Sequence, residues 1–505
     1  VSVTGLTLNI QSLGAGTPDP SSPANGGIYA GSSESYFARV SYTYDNKYSA
    51  TLSGRRDGSS NFGPAHRLGY FPGASVGWTV TNEDFAKDSK ILNYLKVRFG
   101  AGDVGVSSAP ANGYTTNIRL ASNAAGLFGS SAIPGIVANV GNPNLSWESV
   151  VTYNAGVDAN LFKRIDVTVD VYKKITTKML LATVLPSFAG LDPNPPNLSY
   201  QEIEPPFTNA GQMTNTGIDI GITSHNIQGK DFTWNTILVF SHYKNILDKL
   251  YAPGIILFGK SQAFAPVTLT ETSAGHPVGS FFGYVTDGLY RSTGDLGKGP
   301  TPPLPVGLQG TWLGDFRYKD LNGDGAITPA DQTFIGNPNP KFTYGLTNNF
   351  SYKGFDLSIF LQGVYGDRIY NYSRMETESM FSVYQNQLST VLDRYTATNT
   401  NGKLPRYDQY NQNNLKISDR FIEDGSYLRI QNVSLGYNLP QRLISKAKIS
   451  SCRVYISGQN LYTFTNYSGY DPELGAFNSN VLTMNIDYGH YPNPRSLTIG
   501  ANIVF

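Results

Sequence analysis

The chain of 505 residues contains one cysteine, Cys452, and no run near the ~18 consecutive apolar residues that a spanning helix requires. A single cysteine excludes an intrachain disulfide framework, and Cys452, at the start of a strand-like segment, reads as a small packed residue. Charge is scarce: Asp, Glu, Lys and Arg make up 15% of the chain, against about 25% in soluble domains. The net charge of +1, with no basic stripe, gives no support to a nucleic-acid partner. A zinc-hydrolase signature is missing too. There is no H-E-x-x-H, and His66, His225, His242, His276 and His490 are scattered without zinc spacing. The expectation is a protein that is not an enzyme. The sequence opens at Val1 with neither an initiator Met nor a signal peptide, so an export signal is expected to have been removed or to lie upstream.

What is abundant is tyrosine, 33 residues within an aromatic content of 12%, and alternation. From Leu497 to Phe505 every second residue is apolar (Leu497, Ile499, Ala501, Ile503, Phe505), which sets a greasy strand face against a polar one. The same two-residue period recurs through Tyr36–Tyr44, Tyr48–Arg56, Ala74–Val80, Leu95–Phe99, Val151–Leu161, Ile165–Tyr172, Thr216–Ile222 and Phe232–Tyr243. It continues through Phe342–Phe350, Phe355–Gly363, Ile430–Tyr437, Arg453–Leu461 and Leu497–Phe505. These make about 13 strands, many near the 9–11 residues of a tilted membrane strand; Val1–Ile10 is a candidate fourteenth. The polar faces reach into Asp and Asn, as in Asp158, Asn160, Asp166 and Asp170, which suits a wet lumen or the solvent side of a soluble sandwich.

Connection lengths separate those two readings. Tight joints near Asp45–Lys47, Phe162–Arg164, Ile227–Lys230 and Tyr352–Lys353 alternate with long connections at Gly105–Leu145, Thr176–Gln212, Asn245–Lys341, Asp367–Ser426 and Asn466–Arg495. Glu83–Asn93 and Pro440–Ser450 are intermediate, with room for one short helix each. Compact soluble domains seldom hold several loops beyond ~15 residues. Outer-membrane barrels do, with short periplasmic turns and long extracellular loops. The expected fold is therefore all-β, a transmembrane antiparallel β-barrel wall, with the C-terminus at the periplasmic rim. Thr17–Gly31 and Lys298–Gly310, rich in Pro, Gly and Ser, read as external loops.

One local motif carries ion chemistry. Asp320, Asn322, Asp324, Ala326 (through its carbonyl), Thr328 and Asp331 occupy positions 1, 3, 5, 7, 9 and 12 of a calcium-loop template, with Gly325 at the sharp turn. Hard oxygens at that spacing wrap one cation. Asp331 replaces the usual Glu and no strong helix flanks the loop, so Ca²⁺ or Mg²⁺ is expected in a structural role; an Asn/Gly turn without an ion is the alternative. Tyr and Asn crowd other loops, at Tyr384–Asn386, Tyr407–Asn411 and Asn466–Tyr467. Such planes suit sugar stacking or a peptide backbone as well as ordinary turns, and no ligand residue is assigned among them.

Several stretches together resemble the SusC/RagA family of TonB-dependent outer-membrane transporters. They are Arg55–Gly63, Leu68–Trp78, Asn142–Glu148 with Tyr153–Gly156, Gly283–Tyr290, the Asp320–Asp331 loop, Gly458–Leu461, Tyr467–Glu473 and Tyr491–Arg495. Order and spacing agree from about Tyr36 to Phe505. The resemblance implies a plug domain, a TonB-interacting segment and a barrel of about 22 strands, of which this chain supplies the C-terminal part of the wall. It further implies TonB-energised import of a bulky nutrient, an oligosaccharide or a peptide, across the outer membrane of a Bacteroidota-type bacterium. A SusD-like surface lipoprotein would act as lid, with a dimer of transporter–lipoprotein pairs as one possible assembly. An adhesin or scaffold barrel and a secreted glycan-binding β-protein are the readings set against it.

Overall fold

The computed structural model describes residues 3–4, 17–18, 31–110, 113–120, 126–128, 131–133, 135–183, 206–261, 267–380, 385–408, 412–476 and 480–505. Thirteen strands form one antiparallel sheet in which every strand pairs with its sequence neighbours. They are β1 (Ser33–Tyr44), β2 (Tyr48–Ser59), β3 (Leu68–Thr79), β4 (Leu92–Val106), β5 (Glu148–Leu161), β6 (Ile165–Thr177) and β7 (Gln212–Gln228). The remainder are β8 (Phe232–Lys249), β9 (Phe342–Tyr352), β10 (Phe355–Tyr365), β11 (Tyr427–Asn438), β12 (Ser451–Thr465) and β13 (Ser496–Val504). Each coincides with a segment of two-residue period. Several run past the expected 9–11 residues, up to 18 in β8, because the wall continues beyond the apolar band into its loops.

The fourteenth strand is not part of this sheet: within Val1–Ile10 only Val3–Thr4 is described, and it pairs with Thr17–Pro18. The rest of that segment, and most of Thr17–Gly31, lies outside the described residues. Pro440–Ser450 does hold a helical turn at Gln441–Ile444. Glu83–Asn93 does not. A 3-10 turn at Val80–Asn82 precedes it, and the Glu83 carboxylate is drawn to the Tyr48 hydroxyl at 2.6 Å and the Trp78 indole at 3.1 Å, which ties the segment to the wall as turns.

Register gives each face its character. One row runs Ile222, Leu238, Leu346, Leu361, Ile430, Tyr462 across six consecutive strands, every residue directly opposite the next. On the other face, Arg98, Gly156, Asp170, Asp219, Ser241 and Thr343 are likewise in register. The apolar face stays uncovered: Val40 is 68% exposed and Ile499 80%. In water a surface of that extent is an aggregation site; facing lipid, it is the outside of a membrane wall. Aromatic girdles bound it. Phe240, Phe342, Tyr365, Tyr462 and Phe464 pack at the long-loop end, and Trp234, Phe350, Phe232, Tyr352, Phe355 and Tyr437 at the other.

All short joints lie at one end of the sheet. Asp45–Asn46, Phe162–Lys163 and Lys353–Gly354 each place both central residues at positive φ, the primed turn whose twist matches a tight hairpin. The long connections lie at the opposite end, and the chain ends at Phe505 on the short-turn side. The free edges of β1 and β13 are not joined to each other, so the described sheet is an open wall. Among the described residues no helix is long and apolar enough to cross a membrane, which says nothing against crossing by strands.

Candidate functional site

The inner face of the wall is polar by design of its spacing. Arg98 on β4 donates to Asp158 at 2.7 and 3.0 Å and to Asp170 on β6 at 3.1 Å. The strand between them passes beneath as Gly156, where an added Cβ would lie 2.5 Å from Asp170 Oδ1 and 2.8 Å from the Arg98 guanidinium carbon. The same device recurs near the short-turn end. Arg453 on β12 grips Asp356 on β10 in a two-toothed pair at 2.9 and 2.5 Å, over Gly436 on β11. Charges two strands apart thus neutralise each other across a glycine. Toward the mouth, a recess of 860 Å³ is lined by Arg39, Arg55, Asp57, Phe71, Asp103 and Trp147.

Above the wall the long connections build a crown with its own core. Leu269 and Phe281 from the 250–341 connection, Tyr370, Met375 and Phe421 from 366–426, and Ile486 from 466–495 share one buried cluster. Buried polar ties run through it. Glu378 takes Arg420 at 2.7 Å and Arg374 at 3.1 Å, and Arg374 also reaches Glu423 at 2.9 Å. Burial lowers the Arg420 guanidinium to about 10. The Asn485 amide donates to Pro338 O and Asp367 Oδ2, both at 3.0 Å, and so knots three connections at one point. Asp367 is 3% exposed, its Oδ1 has no hydrogen-bond partner among the described residues, and burial raises its carboxyl to about 6.

Arg429 fastens the final connection. At 2% exposure on β11, it donates to Thr463 Oγ1 at 2.9 Å, Asp471 Oδ1 at 2.5 Å and Glu473 Oε2. Asn493, just before β13, donates its backbone N–H to Asp471 and its amide to Glu473, both at 3.1 Å. Tyr467, one of the loop tyrosines singled out by sequence, is buried and donates to Asp487 at 2.5 Å; burial raises its phenol further. It is a structural residue. Tyr384, Tyr410 and Asn411 lie outside the described residues.

The Asp320–Asp331 loop folds as a tight nest. The Asp320 carboxylate accepts from Gly323 and Gly325 N–H at 2.6 and 2.8 Å. Asn322 Oδ1 accepts from Asp324 N, and Asp324 Oδ1 from Ala326 N, both at 2.9 Å. Gly323 and Gly325 adopt φ of +75° and +82°, which the turn requires and a β-carbon opposes. Asp331, fully buried, closes the loop from the far side: its carboxylate accepts from Leu321 N at 2.9 Å and Thr328 N at 2.7 Å. The Thr328 N–H, more than any other group, holds its carboxyl below the ordinary carboxylate range. Ile327 anchors the loop in a cluster with Tyr284, Leu289, Phe316 and Tyr318. Among the described residues no three His, Cys, Asp or Glu side chains gather closely enough to share an ion.

Sequence reasoning found this loop and missed the Arg429 tie, the Asn485 knot and the glycine-bridged pairs. The only hint was a lone arginine at an inward position of a strand, with an Asp-Pro-Glu cluster downstream.

A one-sided apolar wall, a charged inner face and a crown of long loops at one rim define an outer-membrane-type barrel segment. Residues 3–461 match the family of TonB dependent receptor-like β-barrels, and the chain belongs to that family. It is 35% identical over 487 residues to TonB-dependent receptor P3 of Formosa agariphila, covering 93% of this chain and 45% of the relative. It is 28% identical to TonB-dependent receptor SusC of Bacteroides thetaiotaomicron, with coverages of 93% and 43%. Among solved structures it is similar in fold to the RagAB peptide transporter, with a TM-score of 0.76 and 23% identity, over 98% of this chain and 50% of that one. The chain thus spans about half the length of the relatives it matches.

Proposed function

We propose that this chain forms about half the wall and much of the loop crown of a TonB-energised importer that takes a bulky nutrient, an oligosaccharide or a peptide, across the bacterial outer membrane. The observation carrying this is the pairing of an uncovered apolar outer face with a charged inner face, crowned at one rim only, in a chain of the TonB-dependent receptor family. The free edges of β1 and β13 support a longer wall. Unpaired backbone groups in hydrocarbon cost several kcal/mol each, so further strands complete the barrel in the working molecule. With the short turns periplasmic, Phe505 lies at the periplasmic rim. The crown then faces outward, where a SusD-like lipoprotein would close over it, and two such pairs could assemble as a dimer. The interlocked loops would present one continuous surface to that lid.

In the same reading the Asp320–Asp331 loop holds Ca²⁺ or Mg²⁺ and stiffens the crown. Asp320, Asn322, Asp324 and Thr328 would offer side-chain oxygens, Ala326 its carbonyl, and Asp331 would brace the backbone. The hard-oxygen set and the two left-handed glycines fit such an ion. Because the carboxylates alone do not converge, amide, hydroxyl and carbonyl oxygens must complete the shell. Calcium should slow proteolysis between residues 312 and 332 in the full-length protein, and Asp320→Asn should abolish that protection. Equal cleavage with calcium and with chelator refutes the ion.

Uptake of the nutrient should cease in a strain lacking TonB and return on complementation. Uptake that persists without TonB overturns the import mechanism; surface adhesion without any uptake would point to a scaffold barrel.

A further inference from the structure

We propose that the outer face carries a site for a phosphate-bearing, acylated lipid of the outer leaflet, with Lys173 and Lys244 as its phosphate ligands. This rests on the membrane-wall reading above. In register across four strands stand Tyr153, Lys173, Thr216 and Lys244, each directly opposite the next. Their parity is that of Val171, Ile218 and Ile220, so they share the apolar face. Lys173, Thr216 and Lys244 are all exposed and stand toward the long-loop end of their strands. Strands lie about 4.8 Å apart, which puts the two lysine backbones about 10 Å from each other with one hydroxyl between them.

The medium they face is the decisive point. Inward-facing Arg98 and Arg453 each carry an acidic partner, and inward-facing Lys96 and Lys174, which have none among the described residues, look into the polar lumen. Lys173 and Lys244 enter no ion pair among the described residues, although they face a medium that penalises uncompensated charge. Their counterion must come from the membrane. Directly beside Lys173 opens a groove of 660 Å³ walled by Phe99, Tyr153, Ala155 and Val171, ending at Lys173 and Thr216. An apolar trough that terminates in one ammonium group and a hydroxyl, with Lys244 directly opposite that hydroxyl on the next strand, matches an acyl chain continued by a phosphorylated headgroup. Tyr153, at the head of the trough, is the amphipathic residue suited to that depth.

The test uses the full-length protein in phosphatidylcholine nanodiscs, with lipid A as the added probe and native mass spectrometry as the readout. Wild type should retain lipid A and release it when the lipid's phosphates are removed. Lys173→Gln with Lys244→Gln should weaken retention by about thirtyfold, as expected for two lysines at an anionic surface. Lys174→Gln, one residue along but on the inner face, should leave it unchanged. Retention that survives the double substitution, or falls equally in Lys174→Gln, or ignores dephosphorylation, overturns the site. A chain that stays in the aqueous phase and never enters the nanodisc instead overturns the membrane-wall reading beneath it.

Discussion

The wall and the crown are stabilised by different physics. Among the described residues, all four buried apolar clusters lie in the connections, and none of their buried members comes from the thirteen strands. The wall has no core in the ordinary sense. Its order comes from backbone ladders, from side chains reaching across the inner face, and from the lipid that replaces a core. The crown behaves as a conventional water-soluble unit, with packed aromatics, buried ion pairs and capped helical turns. One sequence therefore obeys two burial rules, and a substitution's cost depends on which of them governs its position.

The sharpest way to break this division is at Arg429, where the two regions are joined. Arg429→Ala leaves the buried Asp471 carboxylate without its charge partner and should cost about 3–5 kcal/mol. Thermal unfolding in detergent, with protease cutting within residues 466–495, would register it. Second comes the wall's own asymmetry. Leu346→Lys, on the outer row, should destabilise the folded barrel by about 2–4 kcal/mol, while inward-facing Thr347→Lys should be nearly silent. Equal effects would mean the faces are assigned the wrong way round.

Third, Asp367 makes the crown sensitive to acidity. Its carboxyl titrates at about 6 in the fold, against an ordinary 3.8. The native state therefore holds a proton that the unfolded chain releases, and stability falls as pH rises from about 4 through about 6. The loss amounts to about 3 kcal/mol. Asp367→Asn should restore that stability at neutral pH and flatten the profile, as read by hydrogen exchange at residues 366–426. Smallest of all is the exposed Lys87–Asp84 pair on a short-turn connection. Lys87→Ala should produce no measurable change in unfolding.

Legibility followed the same division. Every wall strand was readable, because a period of two with one face in lipid leaves its mark on each alternate residue, as in Ile165, Val167 and Val169. The open single sheet also disposes of the soluble sandwich, whose apolar stripes would lie between two stacked layers. The crown could not be read that way. Leu269, Tyr370 and Ile486 meet from three connections separated by long stretches of chain, and no local period announces such a meeting. The Asp320–Asp331 loop was the exception, since its ligand spacing is entirely local. Glu83–Asn93, long enough for a short helix, forms turns instead, and Glu83 is committed to Tyr48 and Trp78 on the neighbouring strands.

The tie from Arg429 to Asp471 and Glu473 also bears on how the last hairpin finds its place. Among the described residues β13 pairs only with β12, and sliding it by two residues, about 7 Å, would keep every aliphatic group pointing outward. Greasiness alone is blind to that error. With Asn493 clamped to the same two carboxylates immediately before β13 begins, the slack on that side is taken up, and only one alignment of the closing strand lets the clamp shut. A single buried guanidinium thereby acts as a ruler for the end of the wall.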